Sequence, residues 1–124
     1  MKHFKSSEFD SPDEVGSGER MDKDFLRMLD DARDIAGIAF RVTSGMRTRK
    51  YNEQLRRRGY QASKDSSHMK GCAADIAAVN SEARLRIVGA MLAAGFTRIG
   101  IGKTFVHCDT DNDKRDAVMW VYDV

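Results

Sequence analysis

Apolar residues along the chain recur with two different periods, and the first long pattern is helical. Between residues 21 and 36 they recur every three or four positions, with acidic and basic side chains between them. Asp22 and Asp24 put negative charge at the positive end of such a helix, and Gly37 suits its C-terminal stop. The pattern predicts an amphipathic helix that serves as scaffold.

Two further helices are predicted. Residues 51–58 form a short, strongly charged segment, and residues 83–94 carry apolar side chains at helical spacing. Asn80 or Ser81 can cap the start of the later helix, and Gly95 is a suitable stop.

Five segments have the alternation or the composition of β-strands. They cover residues 38–44, 72–79, 96–101, 104–109 and 117–122. Short links between neighbouring strands favour antiparallel pairing, and helices and strands that do not alternate strictly indicate an α+β domain. We therefore predict an α+β fold in which a small antiparallel sheet is flanked by helices.

Residues 1–20 are polar and predict an irregular N-terminal arm. Phe4 and Phe9 are the large aromatic residues there, and they could pin the arm to the body of the protein. A frayed terminus is the alternative. The chain of 124 residues has the size of one domain, so we predict a single domain over residues 1–124.

The charge balance and hydropathy exclude some partners. A formal net charge of +2 is too small to imply a polyanion partner. No apolar run approaches the ~20 residues of a membrane helix, and the first residues lack the apolar core of a signal peptide. We expect synthesis in a cytoplasm, no signal peptide and no membrane partner.

A local basic cluster between residues 47 and 58 has two interpretations. It comprises Arg47, Arg49, Lys50, Arg56, Arg57 and Arg58. A nucleic-acid surface is one interpretation, and a solvated helix face is the other. Little aromatic interleaving and a balanced overall charge favour the solvated face, so we predict no nucleic-acid partner.

Candidate metal chemistry is concentrated in residues 66–75. His68 and Asp75 lie in this segment, and His107 follows far downstream. Two imidazoles and one carboxylate are a typical ligand set for a catalytic zinc ion, with a fourth position open for water. On one helix His68 and Asp75 would be about 10 Å apart, too far for a shared ion, so a turn at Gly71 between loop and strand is the better geometry.

The two cysteines could also supply a ligand, because Cys72 and Cys108 each lie near a candidate metal ligand. Strand alternation points Cys108 away from His107, and buried free cysteines usually behave as small apolar residues. We favour a structural role for both.

A zinc hydrolase needs more than the metal ligands. With Zn²⁺ bound, two neutral imidazoles and one carboxylate leave the site with a net charge near +1. That charge lowers the pKa of bound water and polarises a carbonyl. A cation must also stabilise the developing oxyanion, and Arg47, in the loop after a predicted strand, is the best candidate. A simple ion pair with an acidic residue is the alternative for Arg47.

These residues match a known family. Ser66-x-His68-x-x-Gly71-x-Ala73-x-Asp75, followed by a strand that bears His107, resembles the zinc D-Ala-D-Ala peptidases of the M15 class. That class includes carboxypeptidases, dipeptidases and phage endolysins that cut between L-Ala and D-Glu. Similar residues occur elsewhere along nearly the whole chain: Phe4 to Phe9, Thr43 to Arg47, Asn52, Gly95-Phe96, Ile99-Gly100 and Trp120.

The resemblance implies a fold of the kind shared by Hedgehog proteins and DD-peptidases, with one catalytic domain. It implies that His68, Asp75 and His107 bind Zn²⁺, and that Arg47 and Ser66 contact a peptidoglycan stem peptide. We expect a monomer made in a bacterial or phage-infected cytoplasm, whose action on the cell wall would need lysis, export or virion packaging.

The chain departs from the family at one position. Many members carry Glu or Asp three residues before the second histidine as general base, and here that residue is Thr104. Asp109 is the nearest replacement, either as the catalytic base or as a carboxylate that supports His107; we favour support. The leading hypothesis is a zinc metallopeptidase, and the alternative is a catalytically silent, zinc-stabilised module that binds wall peptide or a protein.

Overall fold

The computed structural model describes residues 1–60 and 62–122, and its architecture is α+β, as the sequence predicts. The described residues form three α-helices: α1 (Lys23–Ala36), α2 (Arg49–Arg57) and α3 (Ser81–Ala93). They also form five strands: β1 (Val42–Ser44), β2 (Ala73–Ala77), β3 (Arg98–Ile101), β4 (Phe105–Asp109) and β5 (Val118–Val121). No helix within the described ranges is long and apolar enough to cross a membrane.

The helix ends follow the predicted capping chemistry. The Asp22 carboxylate accepts a hydrogen bond from the Phe25 N–H (2.8 Å) at the start of α1, and Gly37 ends the helix at φ 68°. The Asn80 side chain caps α3 by accepting from the Ala83 N–H (2.8 Å). These caps satisfy backbone groups that a helix leaves without partners, so the local sequence accounts for these ends of α1 and α3.

The sheet has the order β1-β2-β4-β3-β5, and one of its pairings departs from the antiparallel prediction. Three neighbouring pairs are antiparallel, but β5 runs parallel to β3. Both edges of β4 are already occupied by β2 and β3. The chain that leaves β4 therefore reverses beyond β3 and adds β5 to the free edge of that strand.

Strand β1 is shorter than predicted. It covers Val42–Ser44 rather than residues 38–44, and its pairing with β2 is irregular between Val42 and Ser44. An edge strand has a partner on one side only, so a local bulge ends its ladder early. The other strands differ from the predicted bounds by no more than two residues at either end, and β3 and β4 end at the predicted residue.

The N-terminal arm is packed against the protein, which confirms the pinned interpretation. The Phe4 and Phe9 rings form an edge-to-face pair with centroids 5.3 Å apart, and both side chains are buried. The Phe9 carbonyl accepts a hydrogen bond from the Met46 N–H (2.8 Å). A Cβ at Gly45 would lie 2.7 Å from the Phe9 Cα, so only glycine allows this approach. The arm thus supports the segment that leads to Arg47.

Replacing Phe9 by alanine should lower the free energy of unfolding by about 3–5 kcal/mol, because the fully buried ring would leave a cavity. Urea denaturation measures this change. Val15→Ala is the control; Val15 is 97% exposed, and its loss should cost less than about 0.5 kcal/mol. A loss below about 1 kcal/mol for Phe9→Ala would mean that the arm does not support the core.

Candidate metal centre and substrate cleft

The three predicted metal ligands meet at one point in the fold. The ligand atoms of His68, Asp75 and His107 all lie within 4.8 Å of one another, and all three residues are buried. Asp75 Oδ1 lies 2.8 Å from His107 Nδ1 and 3.3 Å from His68 Nε2. Two imidazoles and one carboxylate in this arrangement fit a catalytic zinc ion better than the all-oxygen site that Mg²⁺ or Ca²⁺ prefers.

The sheet register and one turn bring these residues together. Asp75 in β2 is the direct partner of His107 in β4, in the middle of the antiparallel ladder. His68 lies in a 3₁₀ helix (Ser67–Lys70) that ends at Gly71 with φ 73°. A Cβ at Gly71 would lie 2.8 Å from the Arg20 carbonyl oxygen. The turn therefore requires glycine both for its positive φ and for this close approach.

Each histidine has a second contact that fixes its ring. His68 Nδ1 lies 2.8 Å from the Gly45 carbonyl oxygen, so Nδ1–H donates there and Nε2 faces Asp75. His107 Nε2 lies 2.7 Å from Asp109 Oδ2, and Nδ1 faces Asp75. Metal-binding histidines are held in this way, with one nitrogen on a backbone or carboxylate oxygen and the other on the ion.

The charges within the cluster follow from burial and from its hydrogen bonds. Burial lowers the pKa of His68, which keeps this imidazole neutral as a ligand must be. Burial alone would raise the pKa of Asp75, but the two histidines outweigh it and hold that pKa well below its usual range. For His107, burial acts to lower the pKa, whereas hydrogen bonds to Asp109 and Asp75 raise it above the usual value.

Arg47 and Ser66, the predicted substrate contacts, lie beside this cluster. A cleft of about 520 Å³ is lined by both residues and by the three metal-ligand candidates. Arg47 Nη2 is 3.8 Å from Asp75 Oδ2, and Arg47 Nε–H donates to Ser44 Oγ at 3.2 Å. The Ser66 hydroxyl accepts from the His68 N–H at 3.2 Å. Arg47 is thus a largely buried cation on the cleft wall, next to the cluster.

The Asp109 carboxylate is occupied by three donors. Oδ2 contacts His107 as described, and Oδ1 accepts from Arg98 Nε–H (2.6 Å) and from the Asp111 N–H (3.1 Å). Burial acts to raise the pKa of Asp109, but these contacts lower it, so the group is a carboxylate. Asp109 lies on the same face of β4 as His107, as the strand alternation predicts.

Thr104, at the position of the usual acidic residue, is exposed and does not line the cleft. The described cleft wall holds four carboxylates, those of Glu8, Asp10, Asp75 and Asp109. Glu8 accepts from the Lys5 N–H, and Asp10 accepts from the N–H groups of Gly16 and Gly18. Glu8, Asp10 and Asp109 therefore already accept hydrogen bonds, and Asp75 is one of the three metal-ligand candidates.

The structure also adds an aromatic wall whose place the sequence pattern does not predict. Trp120 and Tyr122 line the cleft, with their ring centroids 5.5 and 6.5 Å from that of His107. A Cβ at Gly100 would lie 2.7–2.8 Å from these two side chains, so glycine makes room for them. Alternation along residues 117–122 puts both rings on one face, but the parallel pairing with β3 brings that face to His107.

Neither cysteine joins the metal cluster. Cys108 is fully buried on the opposite face of β4 from His107, as predicted. Burial raises the pKa of the Cys72 thiol to about 11 and that of Cys108 well above its usual value. Both are therefore protonated thiols at neutral pH in the metal-free protein.

Comparison with known proteins places the chain in a family. A comparison with curated protein sequences found no match. The fold is similar to the crystal structure of the L-Ala D-Glu endopeptidase ChiX from Serratia marcescens, with a TM-score of 0.63 and 19% identity over 75% of this chain and 82% of that one. A family model described as Peptidase M15 matches residues 2–109, a range that includes every predicted site residue. The chain therefore belongs to the peptidase M15 family, in agreement with the resemblance carried by the segment from Ser66 to Asp75.

Proposed function

We propose that the protein is a zinc peptidase that hydrolyses peptide bonds in the stem peptides of bacterial peptidoglycan. The observation that carries this proposal is the convergence of His68, Asp75 and His107 at the wall of an open cleft, with Arg47 next to them. Membership of the M15 family and the fold shared with an L-Ala D-Glu endopeptidase support the substrate class.

His68 Nε2, Asp75 and His107 Nδ1 would hold the zinc ion. A bound zinc ion supplies Lewis acidity, which polarises an amide carbonyl and activates water for attack on it. The overall reaction adds the water oxygen to the carbonyl carbon and breaks the C–N bond, which leaves a carboxylate on one fragment and an amine on the other. The chain's own residues must bind the peptide, orient it and stabilise the negative charge that develops.

Arg47 has the position and the charge for the last of these tasks. Its guanidinium lies 3.8 Å from a ligand carboxylate and is held by Ser44 Oγ, so it is rigid before substrate arrives. A fixed cation in a largely buried site stabilises an oxyanion strongly because little reorganisation is needed. The Arg47 guanidinium could instead bind a carboxylate of the stem peptide through two parallel hydrogen bonds. Ser66 Oγ, 3.5 Å from Arg47 Nη1, would offer that carboxylate a further contact.

We assign Asp109 the task of holding His107 rather than that of general base. Both of its oxygens already accept hydrogen bonds from fixed donors, and a strand backbone limits its reach. A carboxylate on the outer nitrogen of a metal-binding histidine fixes the ring and makes it a stronger ligand.

This assignment predicts that Asp109→Asn weakens zinc binding by roughly ten- to a hundredfold. Competition with a chromophoric chelator measures the affinity. Asp113→Asn, an exposed acidic position a few residues along, should change it less than about twofold. If Asp109→Asn instead keeps the full affinity for zinc and loses peptidase activity, then Asp109 is the base.

A catalytically silent, zinc-stabilised binding module is the second candidate, and Thr104 in place of an acidic residue favours it. The two are separated by incubating zinc-loaded protein with purified peptidoglycan and analysing the soluble products by mass spectrometry. A peptidase releases stem-peptide fragments that are absent when an excess of chelator is present. Binding to peptidoglycan without new fragments would favour the silent module.

A further inference from the structure

Arg98 connects the candidate metal centre to the far edge of the sheet. It is the first residue of β3, and its side chain is largely buried. Arg98 Nε–H donates to Asp109 Oδ1 at 2.6 Å, and a second guanidinium nitrogen donates to the Arg115 carbonyl. The guanidinium carbon also lies 5.0 Å from the centroid of the Trp120 ring. An arginine with three such contacts is fixed in place before any ligand binds.

The carboxylate that Arg98 contacts is the one that orients His107. Asp109 Oδ1 accepts hydrogen bonds from Arg98 Nε–H and from the Asp111 N–H. The other oxygen, Oδ2, is directed at His107 Nε2. Without Arg98, one backbone N–H would remain to stop rotation of the carboxylate about its own axis. The contact that fixes the His107 ring through Nε2 would then be weaker, and Nδ1 would be held less firmly toward Asp75.

We propose that Arg98 is a positioning residue: by fixing the Asp109 carboxylate, it holds the His107 ring with Nε2 on Asp109 and Nδ1 directed at the candidate metal centre. This inference rests on the proposed role of His107 as a zinc ligand. It adds Arg98 to the site. Arg98 holds Asp109, which contacts the ligand candidate His107, and it also contacts Trp120 on the cleft wall.

The cavities on either side of Arg98 support a role through Asp109. Arg98, Asp109 and Lys114 line both the substrate cleft and a second cavity of about 420 Å³. The Arg98–Asp109 pair is thus part of the wall between two spaces that water can enter. Removal of the guanidinium would expose Asp109 Oδ1 to that water and weaken its orientation.

The test compares Arg98→Met with the wild-type protein in two ways. Methionine keeps an apolar stem against Trp120 but removes the charge and the donors. We expect zinc affinity to fall on the order of tenfold, within the range for groups outside the ligand shell. In metal-free protein at alkaline pH, ¹⁵N NMR of His107 should show the Nε2–H tautomer in wild type and a mixture with Nδ1–H in the variant.

Arg33→Met is the matched control. Arg33 also lies over an aromatic ring, 4.9 Å from the Phe4 centroid, and donates to a backbone carbonyl, that of His3. It has no contact with Asp109, so its loss should leave zinc affinity and the His107 tautomer unchanged. A double-mutant cycle adds Asp109→Asn, in which Arg98→Met should have less than about a twofold further effect if the two residues act as one unit.

The result that would overturn the proposal is an unchanged His107 tautomer and zinc affinity in folded Arg98→Met protein, or an equal loss in the Asp109→Asn background. If Arg98→Met does not fold, Arg98→Lys replaces it, because the ammonium group still reaches Asp109. A smaller loss of affinity than in Asp109→Asn supports the proposal, and an equal or larger loss overturns it. Absence of zinc binding in wild type would refute the proposed function, whereas the tautomer measurement still tests Arg98.

Discussion

We expect His68→Ala to weaken zinc binding by roughly a hundred- to a thousandfold. The binding free energy of zinc in proteins is about 10–16 kcal/mol, and one of four ligands accounts for about a quarter of it. Peptidase activity should be lost with the metal. The physical reason is that Nε2 faces Asp75 while Nδ1 is fixed on the Gly45 carbonyl, so no other group takes its place when the ring is removed.

Metal analysis of the purified protein after dialysis, together with chelator competition, measures this effect. His3→Ala is the matched control, because His3 lies on the N-terminal arm and contacts Asp34 far from the cluster. It should keep one zinc per chain. Equal zinc affinity in wild type and His68→Ala would show that the ion binds elsewhere, and the proposed ligand set would be wrong.

The second large effect is expected for Arg47→Gln, which should lower kcat/KM by about a hundred- to a thousandfold, as loss of a fixed oxyanion donor does elsewhere. Glutamine keeps much of the side-chain volume but removes the charge and the fork. Zinc should stay bound, because Arg47 contacts the ligand carboxylate at 3.8 Å and supplies no ligand atom itself.

The kinetic constants of Arg47→Gln also distinguish its two possible roles. A fall in kcat with little change in KM indicates charge stabilisation in the transition state, whereas a raised KM alone indicates a contact to a substrate carboxylate. Arg49→Gln is the control, since Arg49 is exposed at the start of α2 and does not line the cleft. Activity of Arg47→Gln within twofold of wild type would exclude both roles.

The parts of the site that could be predicted from the sequence are those set by local chemistry. Asp22, Asn80, Gly37 and Gly95 mark helix ends because capping depends on a few neighbouring residues. The segment from Ser66 to Asp75 predicts a turn followed by a strand, and the structure has both. The alternation in β4 predicts correctly that Asp109 shares a face with His107 and that Cys108 does not.

The parts that could not be predicted depend on contacts between distant segments. The parallel pairing of β5 with β3 depends on which sheet edge is free, and no local pattern contains that information. This pairing brings Trp120 and Tyr122 to the cleft and places Arg98 between Asp109 and Trp120. The sequence favours support of His107 over a role as base for Asp109, but the donors that hold its carboxylate could not be predicted, because strand alternation gives a face and not a hydrogen-bond partner.

The packing of the arm is a similar case. Phe4 and Phe9 are suitable anchors by composition, yet a frayed terminus fits the same sequence. The close approach of Phe9 to Gly45 decides between the two, because it needs a glycine on a remote loop. The same contact links the arm to the site, because Phe9 packs against Gly45 and accepts a hydrogen bond from Met46, the residue before Arg47.

The most direct test of the central claim is a zinc titration of chelator-treated protein during hydrolysis of a purified stem peptide. Zinc peptidase chemistry at the His68, Asp75 and His107 cluster predicts no hydrolysis without metal and a rate that rises to a plateau at one zinc per chain. Full hydrolysis before zinc is added, or no hydrolysis once one zinc per chain is bound, would contradict it.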